Sequence, residues 1–93
     1  MPRVMIVEDD LTILSNLSQL LQLTGLDVME AHDGQEALRL LLECLVHDAS
    51  LPKMIVSDLM MPNMDGFDLL RAVRGDAHFK KLPFVLLSAR SDA

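Results

Sequence analysis

Three short, unbroken apolar runs, Val4 to Val7, Met54 to Val56 and Phe84 to Leu87, constrain the fold of this chain more than any other feature. Runs of that length without polar alternation suit strands buried on both faces of a parallel sheet. Leu26 to Ala31 is more mixed, as an edge strand would be. Between the runs the apolar spacing turns helical. Leu14, Leu17 and Leu21 make one stripe, and Leu38, Leu41, Leu42 and Leu45 make a second. Gly25 can stop the first helix, Asp33 with Glu36 forms a capping box for the second, and Asp65-Gly66 opens a third through Phe67, Leu70 and Val73. The order βαβαβαβ with short connections and right-handed crossovers predicts an α/β fold with a doubly wound parallel sheet.

At 93 residues and 51% hydrophobic composition, the chain suits one compact domain spanning 1–93. Fourteen acidic against eight basic residues, a net charge of −6, disfavour direct nucleic-acid binding, which needs clustered Lys and Arg. The single cysteine, Cys44, sits in an apolar helical stretch, which points to a buried thiol and a reducing compartment. No apolar run is long enough to span a bilayer, and Met1-Pro2-Arg3 leads straight into the first strand, unlike a signal peptide. A cytoplasmic location is therefore expected.

In open α/β sheets, ligands bind at the carboxyl ends of the strands, where the strand order reverses. Here the first strand ends in Glu8-Asp9-Asp10 and the third in Ser57-Asp58. If the order is 2-1-3-4, an assumption at this stage, the two acidic groups lie side by side. Converging carboxylates repel unless some protonate or a cation binds. Mg²⁺ is the natural occupant, since it takes one or two protein carboxylates plus water and phosphate oxygens. A carboxylate beside such an ion is also a competent nucleophile toward phosphorus, so Asp58 can form an acyl phosphate. Asp10 and Asp65 read instead as helix caps, and Ser88 places a hydroxyl at the same sheet edge. Met60 and Met61 are read mainly as packing residues, with a gating or partner-contact role as the lesser alternative. His32, His47 and His78 fall outside the acidic cluster. Lys80 and Lys81 precede the fourth strand, far from the carboxylates.

Three separated motifs, Val4-Met5-Ile6-Val7-Glu8-Asp9-Asp10, Asp58-Leu59-Met60-Met61-Pro62-Asn63-Met64-Asp65-Gly66 and Leu86-Leu87-Ser88-Ala89, resemble the bacterial two-component receiver domain in the same order. The resemblance spans essentially the whole chain and implies the flavodoxin-like receiver fold. It implies Asp58 as the phosphorylation site and Asp9 as a direct Mg²⁺ ligand. Glu8 would act as a ligand mainly through water, and Met60 through its backbone carbonyl. Ser88 would be the switch hydroxyl, Ala89 would offer its amide to a phosphoryl oxygen, and Pro62 and Gly66 would shape the loop. Arg90 lies close by in sequence. The phosphoryl donor would be a sensor histidine kinase or a phosphotransfer protein, and the module would assist its own phosphorylation and dephosphorylation without being an enzyme.

Receivers of this kind continue through a fifth strand with a phosphate-binding Lys and a final helix, so the chain is expected to be a receiver domain incomplete at its C-terminus. That leaves Phe84 to Leu87 as an exposed edge, and self-association through it is a further expectation. A phosphohydrolase of the haloacid-dehalogenase kind would need a second acid two residues after the nucleophile, where Met60 stands. A flavodoxin-like cofactor site would want a Ser/Thr/Gly-rich loop in place of Glu8-Asp9-Asp10. The alternative is a non-phosphorylated interaction or oligomerisation module on the same fold.

Overall fold

The computed structural model describes residues 2–87. Four parallel strands alternate with three helices: β1 (Arg3–Val7), α1 (Leu11–Leu23), β2 (Asp27–Ala31), α2 (Gly34–Val46), β3 (Met54–Asp58), α3 (Gly66–Arg74) and β4 (Phe84–Leu87). The sheet order is β2-β1-β3-β4, as assumed from the sequence. Val7 lies opposite Ala31 on one side and Ser57 on the other, and Asp58 lies opposite Leu87.

The strands sort their side chains by alternation. Met5, Val7 and Ile55 point into a core shared with Ala37 and Leu41 of α2 and Leu69 and Val73 of α3. Val4 and Ile6 point the other way, against Leu14 of α1. Helices on both faces explain why the central strands read as unbroken apolar runs. The mixed pattern of β2 follows from its place at an edge, where Asp27 and Glu30 reach solvent.

All three helix starts are built from aspartate. Asp10 accepts from the amides of Thr12 and Ile13, Asp33 from Glu36 and Asp65 from Asp68, so each carboxylate satisfies amides that the first helical turn leaves unpaired. The capping box at α2 departs from the expected form, because Glu36 returns its carboxylate to the amide of His32 instead of Asp33.

Two helix faces differ from the sequence expectation. The buried line of α2 is Gly34, Ala37, Leu41 and Cys44, while Leu38 and Leu45 flank it and Leu42 is 50% exposed. That line is mostly small residues, and leucines on several sides of the helix obscured its phase. In α3 the buried line is Gly66, Leu69 and Val73, with Phe67 half exposed. Gly66, pressed against the end of β3, sets that rotation. Phe79, in the turn before β4, is fully buried in the larger core, a contribution that no sequence periodicity announced.

Candidate functional site

Because β1 and β3 are parallel neighbours in register, their carboxyl ends finish at one edge of the sheet. The chain leaves β1 toward α1 on one face and returns to β3 from α2 on the other, which makes this the reversal point where open sheets bind ligands. Glu8, Asp9 and Asp58 each bring a carboxylate oxygen there, all within 4.8 Å of one another.

The three carboxylates are held differently. Glu8 is buried, its amide donates to the Ala31 carbonyl at 3.0 Å, and its Oε2 accepts from the Asp10 amide at 3.0 Å. Asp58 is half-buried and Asp9 exposed. Burial pushes the Glu8 carboxyl above the usual range, and the negative charges of Asp58 and Asp9 push the same way against the opposing Asp10 amide. Asp58 is raised too, first by burial and then by Asp9, with the Leu59 amide opposing. An all-oxygen donor set that crowds negative charge in this way fits a hard divalent cation.

The loop after Asp58 is pinned at its root. The Leu59 amide donates to the Leu87 carbonyl at 3.1 Å, and the Gly66 amide donates to the Leu59 carbonyl at 2.8 Å. A Cβ at Gly66 would lie 2.4 Å from the Asp58 carbonyl oxygen and 3.0 Å from Leu59 Cα, so only glycine lets α3 begin against the end of β3. Asp10 and Asp65 act as the helix caps expected of them.

The packing expectation holds for one methionine of the loop. Met61 packs against the larger core, whereas Met60 is 61% exposed. His32, His47 and His78 are exposed, as are Lys80 and Lys81 in the turn that precedes β4. Ser88, Ala89 and Arg90 lie outside the described residues. The sequence did not reveal a contact between Asn63 Nδ2 and Asp33 Oδ2, 2.8 Å apart and 30 positions distant in the chain. Its one signal was the asparagine itself, a residue type that tolerates the left-handed backbone Asn63 adopts, at φ 66°.

The family model of the response regulator receiver domain matches residues 4–93. The chain belongs to that family. It is 41% identical over 90 residues to the transcriptional regulatory protein PrrA of Mycobacterium tuberculosis, covering 97% of this chain and 35% of the relative. To the transcriptional regulatory protein CpxR of Escherichia coli it is 38% identical over 90 residues, covering 97% and 34%. This receiver chain thus spans about a third of the length of these curated relatives. Among solved structures it resembles the signal receiver domain of a signal transduction histidine kinase from Syntrophus aciditrophicus, with TM-score 0.83, 33% identity, and coverage of 99% of this chain and 65% of that one. It also resembles the chemotaxis response regulator CheY4 of Vibrio cholerae, with TM-score 0.81, 33% identity, and coverage of 99% and 72%. The receiver is therefore a module of two-component signal transduction, and its Glu8, Asp9 and Asp58 form an acidic cluster of the kind at which receivers generally use Mg²⁺.

Proposed function

We propose that Asp58 is the phosphoacceptor of this receiver and that Glu8, Asp9, Asp58 and the Met60 carbonyl hold Mg²⁺ beside it. The observation that carries the reading is the convergence of the three carboxylates at the β1/β3 reversal point. A carboxylate oxygen of Asp58 attacks the phosphorus of a phosphohistidine on a sensor kinase or phosphotransfer protein. A P–O bond forms as the P–N bond breaks, and the imidazole, protonated from solvent on its other ring nitrogen, leaves as the neutral ring. Bound Mg²⁺ supplies charge neutralisation on the transferring phosphoryl oxygens. Asp9 and Glu8 supply the neighbouring negative charge that would hold that ion, Glu8 mainly through water. The hydroxyl of Ser88 and the amide of Ala89 are assigned to the phosphoryl oxygens. Hydrolysis of the acyl phosphate returns the Asp58 carboxylate and inorganic phosphate, so the domain turns over its own modification without a separate substrate.

Intact-protein mass after incubation with Mg²⁺ and acetyl phosphate tests this directly. A phosphoryl-sized gain is expected in the parent and not in Asp58→Ala, with circular dichroism showing both folded. An equal gain in the variant, or none in the folded parent, rules the assignment out. Self-association is the remaining partner reading. It is supported by β4, which pairs with β3 alone among the described strands and exposes Val85 and Leu87. A concentration-dependent dimer in sedimentation velocity, weakened by Val85→Lys, is the expected outcome.

A further inference from the structure

Two contacts tie the tip of the 59–65 loop to the N-terminus of α2, at its cap Asp33 and its first residue Gly34. Asn63 Nδ2 donates to Asp33 Oδ2 at 2.8 Å, and the Gly34 amide donates to the Met64 carbonyl at 3.2 Å. The approach leaves no space at Gly34, where a Cβ would fall 2.7 Å from Met64 Cγ and 2.9 Å from the Met64 carbonyl oxygen. With the Gly66–Leu59 hydrogen bond at its root, the loop is held at both ends, and Met60, Met61 and Pro62 run between.

Asp33 divides its two oxygens between separate tasks. Oδ1 accepts from the Glu36 amide at 2.9 Å and caps α2, whereas Oδ2 takes the Asn63 amide. Capping alone needs one oxygen, which serine or asparagine also provides. The second oxygen therefore serves the loop. We propose that Asp33 is a positioning residue for the Asp58 site, holding Asn63 so that the Met60 carbonyl stays in place and the carboxylate cluster keeps its cation affinity. This rests on the reading of Asp58, Glu8 and Asp9 as a cation-assisted phosphoacceptor.

Exchanging donor and acceptor tests it. Asp33→Asn keeps an oxygen for the cap but sets one NH₂ against another. Asn63→Asp sets two carboxylates against each other. In the double variant the bond is restored with its direction reversed and the net charge unchanged. Both single variants are expected to speed amide exchange at Gly34 in metal-free protein and to weaken Mg²⁺ binding, measured calorimetrically, by about threefold to tenfold. Uptake from acetyl phosphate should fall at subsaturating Mg²⁺ and recover at saturation, and the double variant should return to within about twofold of the parent. The two single changes alter charge in opposite directions, so a shared loss of affinity is not a general electrostatic effect. Single variants with the parent's Mg²⁺ affinity, or a double variant as weak as the two losses combined, overturn the role of Asp33. A folded parent that takes up no phosphoryl group overturns the reading of Asp58 itself.

Discussion

Glu8 and Asp58 both titrate above the ordinary carboxylate range, chiefly because burial disfavours their ionised forms. A raised pKa in the folded state means that the folded chain binds these protons more tightly than the unfolded one. Their favourable contribution is complete below the unfolded value, about 4, and is lost as pH rises through the higher folded values. Without divalent cation, Asp58→Asn should therefore raise the thermal midpoint at pH 7 by a few degrees. The advantage should vanish below about pH 4; a constant advantage across a pH series would contradict the shift. Gly66→Ala tests a steric demand at the same strand end. Its Cβ meets the Asp58 and Leu59 backbone, which cannot rotate away as a side chain can, so about 1–3 kcal/mol of stability should be lost in urea unfolding.

At the level of single elements, the α2 cap has the opposite pH dependence. The Glu36 amide, followed by the Asn63 side chain, holds the Asp33 carboxyl below its ordinary range. That contribution is present above an unfolded value of about 4 and is lost as pH falls through the lower folded value. Asp33→Ala should cost about 1 kcal/mol at pH 7 and less at the acid end of the series. The rotation of α2 predicts a sharp contrast between adjacent leucines. Leu41→Ala, at a fully buried position, should cost about 2–5 kcal/mol, whereas Leu42→Ala, half exposed, should stay within about 0.5 kcal/mol; chemical denaturation of the pair distinguishes them. The strands were legible in the sequence because burial on both faces leaves a run such as Val4 to Val7 no polar position. The helix starts were legible because Asp33 and Asp65 are local signals. The faces of α2 and α3 were not, because Leu42 and Phe67 are as apolar as the residues that pack.

For the molecule as a whole, the acidic edge links stability to cation binding. If Mg²⁺ binds only the folded chain, a hundredfold excess over its Kd should stabilise the parent by about 2.7 kcal/mol. Asp9→Asn should remove most of that gain in calorimetric melts. The site's acids were legible because they end apolar strands, at the sheet edge where the strand order brings them together. The Asp33–Asn63 contact was hidden because nothing local relates the N-terminus of α2 to a loop after β3. The same strand order also sets a timetable for making the site. β1 pairs with β2 across one intervening helix, but its partner on the other side is β3, with Val4 opposite Met54 and two helices and a strand between them in the chain. Of the three strand pairings among the described residues this closes the longest loop, and such non-local closures slow folding. Glu8 and Asp9 therefore remain without Asp58 beside them until that closure occurs, so a β1–β2 unit alone carries only part of the acidic cluster, and the three carboxylates come together only when β3 docks.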